Sequence, residues 1–185
     1  MIGASWGGLE ALSRLLDGLR DDVHQPIVIA QHRSPDSKDA TLGQLLQQHT
    51  RRVVTDPDDK TPLEHDHVYL GPPDYHVLVE EGQLALSTEA PVQFARPSID
   101  VLFESAADVY GNRTIGVVLT GANADGAQGL ARIKDRGGVA IVQDPATSET
   151  RAMPDAALLA TAADAVLPLE EIPDFVYGLC CEVPT

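Results

Sequence analysis

Residues 115–143 read IGVVLTGANADGAQGLARIKDRGGVAIVQ, and this stretch decides the fold. It opens on an aliphatic run (115–120), turns through a glycine-rich loop, carries a helical pattern over 127–136 and closes on a second aliphatic run (139–143). Unbroken Val/Ile runs suit strands covered on both faces, and strand–helix–strand is the crossover unit of a parallel sheet. Residues 27–31 (IVIAQ) are a third such run, and shorter strands are expected at Met1-Ile2, 52–55, 67–71 and 165–167. Helical spacing recurs in 8–19, through Leu9, Leu12, Leu15, Leu16 and Leu19, and in 98–110, through Ile99, Leu102, Phe103, Ala106 and Tyr110. A further helix is expected over 154–162. One segment breaks the alternation: 76–80 and 83–87 alternate apolar and polar around Glu81-Gly82, a hairpin signal. Residues 56–66, with two prolines and several charges, read as a surface loop. The expected fold is α/β: a doubly wound, mostly parallel sheet with helices on both faces and one antiparallel hairpin, in one domain spanning 1–185.

The chain has 185 residues, with 13 Lys+Arg against 28 Asp+Glu and a net charge of −15. That length suits one domain with a core of its own. With 43% apolar residues and only 4% aromatic ones, the core must be aliphatic. Such an acidic surface argues against nucleic acid and anionic membranes as partners. No apolar run is long enough to span a bilayer, and no basic-then-apolar leader opens the sequence. The two cysteines, Cys180 and Cys181, are adjacent, which suits neither a disulfide framework nor a metal site. The expected setting is the reducing cytoplasm, with no metal and no cofactor.

In a doubly wound sheet the site lies outside the carboxyl ends of the strands. Four turns qualify. After Met1-Ile2 comes Gly3-Ala4-Ser5-Trp6-Gly7-Gly8, a G-x-S-x-G pattern between strand and helix, which thrusts a serine out of the sheet as a nucleophile. The Trp6 N–H and the following helix N-terminus would face an oxyanion. The alternative is that Ser5 caps the helix and the glycines make a turn of the kind that can hold a phosphate. After 27–31 comes His32, the one histidine directly following a strong strand and the candidate general base. His24, His49, His65 and His67 stand in polar context, and His76, at the hairpin start, is a weaker candidate. After 115–120 comes Asp125, which would orient the imidazole. Asp125 with Gln128 also fits a capping box. After 139–143 comes Asp144, equally well placed, so the third member stays open between the two aspartates. The order serine, histidine, aspartate is not that of α/β-hydrolases, and a triad is recognised by geometry.

Several blocks together resemble the catalytic domain of the chemotaxis receptor methylesterase (CheB) family. They are GASWGG with Leu9-Glu10-Ala11-Leu12, Ala30-Gln31-His32, Arg96-Pro97-Ser98-Ile99-Asp100-Val101-Leu102-Phe103, Leu119-Thr120-Gly121 with Asp125-Gly126-Ala127-Gln128-Gly129-Leu130, and Gly137-Gly138 followed by Gln143-Asp144 and Met153-Pro154. The resemblance implies hydrolysis of glutamyl γ-methyl esters on methyl-accepting chemotaxis receptors, and deamidation of receptor glutamines. It implies Ser5 as nucleophile, His32 as base and Asp125, in preference to Asp144, as its orienter. It gives the oxyanion donors as the N–H groups of Trp6 and Ala122, and Arg96 and Met153 as residues of the substrate face. Three departures stand out. Gly121-Ala122-Asn123 replaces the usual Gly-Met-Gly, Trp6 replaces Thr or Ala, and the family's phosphorylatable receiver domain is not in this chain, leaving it to a longer protein or to act in trans. The departures motivate an alternative, a catalytically degenerate signalling or binding module of the same fold. A nucleotide-binding domain on the first turn is disfavoured, since Gln31 and His32 occupy the place of its acidic residue. Receptor methylation helices are rich in Glu and Gln, so a chain of charge −15 needs local basic residues facing them, and Arg33, Arg96 and Arg151 are the candidates.

Overall fold

The computed structural model describes residues 1–33 and 41–181. Seven strands form one sheet: β1 (Ile2–Ala4), β2 (Ile27–Gln31), β3 (Val53–Thr55), β5 (His67–Leu70), β8 (Ile115–Val118), β9 (Val139–Gln143) and β10 (Ala165–Leu167). Their spatial order is β10-β9-β8-β1-β2-β5-β3, and every pairing is parallel. The chain winds one way from β1 to β2 and the other way from β8 onward, so the crevice of the fold opens at the carboxyl ends of β1 and its two neighbours. A second, antiparallel sheet joins β4 (Thr61–Pro62) to the hairpin β6 (His76–Glu80) and β7 (Gln83–Ser87).

The aliphatic runs alternate between two cores. Val28, Ala30, Val118, Ala140 and Val142 face α3 (Ile99–Tyr110), α4 (Ala127–Asp135), α5 (Ala152–Ala160) and the hairpin. Ile27, Ile29, Val117, Leu119 and Ile141 face the leucines of α1 (Gly8–Gly18), with Leu46 of α2 (Thr41–Gln47) and Ile172 of α6 (Ile172–Cys181). Covering both faces is why these strands read as unbroken apolar runs.

The sequence reading differs from the structure at several points. The 56–66 loop contains β4, two residues long and Pro-bearing, which periodicity cannot register. Helices α2 and α6 went unanticipated because α2 spans only seven residues and contains Gly43, while α6 carries Pro173 and Gly178. The expected 154–162 helix starts at Ala152, since Pro154 sits in the first turn, where its missing N–H has no helical partner to lose.

Helices α3 and α4 cross at Gly129, where an added Cβ would lie 2.6 Å from Phe103 Cβ and 3.0 Å from the Asp100 main chain. Gly129→Ala is expected to cost about 1–3 kcal/mol by forcing the helices apart. Gly43→Ala, with only Asp56 Oδ1 at 3.9 Å from the new methyl, should stabilise by about 0.4–1 kcal/mol. Urea unfolding of the two variants checks the pair of opposite signs.

Candidate active site

The three side chains meet across the crevice. Ser5 leaves β1, and His32 leaves β2, the neighbouring strand, its N–H donating to Ala4 O at 3.1 Å. Ser5 Oγ lies 3.1 Å from His32 Nδ1, and His32 Nε2 lies 2.7 Å from Asp125 Oδ2. A carboxylate only accepts, so Nε2 carries a proton, and in the neutral ring Nδ1 is left to accept from the Ser5 hydroxyl. The imidazole therefore stands between hydroxyl and carboxylate. Asp144 is elsewhere engaged, its Oδ1 accepting the Ala146 N–H at 2.8 Å within its own turn.

The Ser5 turn is made by glycine. Gly7 adopts φ 77° and precedes α1, which has no side-chain cap, so Ser5 does not cap the helix. Gln31, buried in β2, donates from Nε2 to Ser5 O (2.9 Å) and His32 O (3.0 Å), tying the two residues together through their backbones. Thr120 Oγ1 donates to Trp6 O at 3.0 Å and accepts the Thr150 N–H at 2.9 Å. Among the described residues, the Trp6 and Ala122 N–H groups have no hydrogen-bond acceptor. The Trp6 ring is 66% exposed and its Nε1 donates to Glu149 Oε1 at 3.0 Å, which clips the turn to the loop before α5.

Asp125 is fully buried, and it does not cap the helix it precedes. Gly126, at φ 97°, is the N-cap of α4, without a side-chain bond, so the capping-box reading with Gln128 is set aside. Its carboxylate instead accepts from the N-terminus of α3: Ser98 Oγ (2.8 Å) and Asp100 N–H (3.0 Å) on Oδ1, and Ile99 N–H (2.7 Å) on Oδ2. Asp100 returns the favour to α4, its Oδ1 accepting the N–H groups of Gly126 (2.9 Å) and Gly129 (2.7 Å). Each helix is thus capped by a carboxylate from the other's neighbourhood, and the positive helix ends favour both charges. Burial pushes the Asp125 carboxyl up, but the donors from His32, Asp100, Ile99 and Ser98 outweigh it and its pKa falls below the ordinary value. For Asp100 the balance is opposite. Burial, with the charges of Asp125 and Glu104, outweighs the Gly129 and Gly126 N–H groups and raises it to about 6.

Other expected residues are placed differently. Met153 is fully buried in the core against Gly121, whose added Cβ would lie 2.5 Å from Met153 Cε. The Arg96 guanidinium is taken up by Asp74 and by the carbonyls of Thr88 and Glu89, closing the loop before α3. Arg33 faces Asp56 at 3.8 Å and Arg151 pairs with Asp155 at 2.6 Å. His76 is a tie within the fold: its Nδ1 accepts the Ser98 N–H at 3.1 Å and its Nε2 lies 3.2 Å from Ala90 O. Ser98 and Asp100 carry the site without having been assigned roles from sequence, although Ser-Ile-Asp opening a helix was a visible capping signal. Among the described residues, no three His, Cys, Asp or Glu side chains gather in a group able to hold a metal ion.

A winding of this kind, with a serine, a histidine and an aspartate in contact at the carboxyl ends of its strands, has the layout of an α/β hydrolytic enzyme. The family model described as CheB methylesterase matches residues 1–176. A relative from Leptospira interrogans is 44% identical over 180 residues, covering 97% of this chain and 93% of its own. The protein-glutamate methylesterase/protein-glutamine glutaminase 2 of Anaeromyxobacter dehalogenans is 44% identical over 173 residues, covering 94% of this chain and 50% of its own. The crystal structure of the Thermotoga maritima CheB methylesterase catalytic domain superposes with TM-score 0.90 at 30% identity, covering 96% of both chains. The chain belongs to the CheB methylesterase family. It spans nearly the whole of the Leptospira relative and half of the Anaeromyxobacter one.

The raised Asp100 carboxyl makes a pH-dependent forecast. Its charged form is disfavoured in the folded state, so its contribution to stability declines as pH rises from the unfolded value near 3.8 to about 6 and is flat above. Asp100→Asn retains one acceptor oxygen for Gly126 and Gly129, and Gln93, whose Nε2 meets Asp100 Oδ2 at 2.6 Å, can turn its carbonyl to the new amide. Unfolding free energies measured from pH 4 to 7 should show the variant gaining on the wild type up to about pH 6 and running parallel beyond.

Proposed function

We propose that the protein hydrolyses γ-methyl esters of glutamate side chains on methyl-accepting chemotaxis receptors, with Ser5 as nucleophile, His32 as general base and Asp125 as its orienter, and deamidates glutamine side chains at the same centre. The observation that carries this reading is the unbroken hydrogen-bond chain Ser5–His32–Asp125, in a member of the CheB methylesterase family. The Ser5 oxygen attacks the ester carbonyl carbon while Nδ1 takes its proton, and the carbonyl oxygen becomes an oxyanion facing the N–H groups of Trp6 and Ala122. As the tetrahedral centre collapses, the C–O bond to the methoxy group breaks and the imidazolium returns the proton, releasing methanol. Water then attacks the acyl-serine by the same route and leaves a glutamate carboxylate and a restored serine. A glutamine substrate gives ammonia in place of methanol. Donors on main-chain nitrogens tolerate the change of side chain at Trp6 and at Ala122. A phosphorylatable receiver domain, fused or separate, is the regulator this reading expects.

Ser5→Ala and His32→Ala are expected to lose turnover to similar extents, because members of a triad act as a unit. Asp125→Asn should lose on the order of 10⁴ in kcat through the wrong tautomer. It should also cost about 1–3 kcal/mol of stability, since an amide nitrogen would confront the Ile99 N–H or the other α3 donors. Asp144→Asn is the matched control and should stay within a few-fold of wild type on a methylated receptor substrate. A serine-directed fluorophosphonate should label wild type at Ser5 and leave Ser5→Ala unlabelled. Absence of labelling, with full folding, would favour the degenerate binding module instead.

A further inference from the structure

Asn123 stands where the family has glycine, and its side chain reaches the reacting nitrogen. Its Oδ1 accepts the Asp125 N–H at 3.2 Å, and its Nδ2 lies 3.4 Å from His32 Nδ1. The first bond fixes which way the amide faces: turned over, its NH₂ would oppose the Asp125 N–H and its oxygen would oppose the bare Nδ1 lone pair. So the amide offers an N–H to the same lone pair that accepts the Ser5 hydroxyl, at the long end of hydrogen-bonding range.

We infer that Asn123 is a positioning residue for the triad proposed above: its amide N–H holds the Nδ1 lone pair of His32 unprotonated and the ring in plane for Ser5. The inference rests on the proposed roles of Ser5 and His32. A donor at Nδ1 and an acceptor at Nε2 together admit only one neutral tautomer, the one in which Nδ1 is the base. When Nδ1 takes the serine proton, the Asn123 N–H loses its acceptor and faces a like group, which favours passing the proton on to the leaving group. No glycine at this position could supply that interaction. The charged groups around the imidazole are Asp125 in contact with Nε2, Asp100 beyond it at the Gly126 N–H, Glu149 on the Trp6 side of the Ser5 turn, and Arg33, next in the chain and facing Asp56. Within the β8–α4 loop, Asn123 supplies the donor at Nδ1 and Asp125 the acceptor at Nε2.

Two substitutions separate this role from mere support of the loop. Asn123→Asp keeps an oxygen for the Asp125 N–H but puts a second acceptor opposite Nδ1, where it recruits a proton to the ring. Asn123→Ala removes both contacts. A loop-supporting role makes Asn123→Asp the milder change; the positioning role makes it the worse one. On a methyl-ester substrate at neutral pH, kcat should fall about fivefold in Asn123→Ala and about a hundredfold in Asn123→Asp, with KM little changed. The acidic limb of the Asn123→Asp rate profile should move to higher pH.

The second readout needs no turnover. In ¹⁵N-histidine-labelled protein carrying Ser5→Ala, the His32 Nδ1 resonance should shift further toward a free lone pair when Asn123→Ala is added, and Asn123→Asp should give a ring protonated on both nitrogens. Identical His32 spectra with and without the Asn123 substitutions, or Asn123→Asp milder than Asn123→Ala, would overturn the inference. Failure of the triad reading looks different: Ser5→Ala would then keep its turnover while the Asn123-dependent ¹⁵N shifts persisted.

Discussion

The crossed capping of α3 and α4 is the constraint on which the site depends. A carboxylate buried without partners would shed its charge or the fold. Asp125 keeps its charge because three donors at the start of α3 and the ring proton of His32 converge on it. Those donors are in place only because α3 is N-capped at Ser98 and packs across α4 at Gly129, and Asp100 secures that packing from the other side. The carboxylate bonded to the imidazole is thus an integral part of helix packing.

This arrangement explains why the two buried aspartates differ. Each accepts main-chain N–H groups at a helix N-terminus, yet Asp125 is driven down and Asp100 up. Asp125 adds the imidazole and the Ser98 hydroxyl to its donors, while for Asp100 burial dominates and the field of Asp125 adds to it. Two like charges within one pair of helix ends cannot both be fully favoured, and the one facing the crevice takes the larger share of donors.

Much of this was legible in the sequence, for physical reasons that can be named. Strands buried on both faces announce themselves by composition, as 27–31, 115–120 and 139–143 did, and the winding rule then pointed to the turns after the strands, where Ser5, His32, Asp125 and Asp144 stand. The choice between Asp125 and Asp144 was not legible in spacing, because each follows a strand; the direction of a side chain decides it, and Asp144 folds back on Ala146. Side-chain direction likewise sets the surroundings of Met153 and Arg96. Met153 turns inward onto Gly121 and Arg96 closes its own loop. The reach of Asn123 to His32 likewise depends on a loop conformation that no periodicity encodes.

The arginines bear on how fast anything acidic can arrive. Arg33, Arg96 and Arg151, the cations expected near the substrate, each face an aspartate of the same chain, and the sequence carries 28 acidic residues against 13 basic ones. Ion pairing at short range leaves little positive potential to project, so an approaching molecule meets a net negative field that extends over a Debye length, about 10 Å at 0.1 M salt. Two like-charged bodies collide more often as the Debye length shortens. For the proposed substrate, a glutamate-rich helix, association would therefore be accelerated by salt, the reverse of an electrostatically steered pair, and encounters would favour segments whose own carboxylates are already masked as neutral esters or amides.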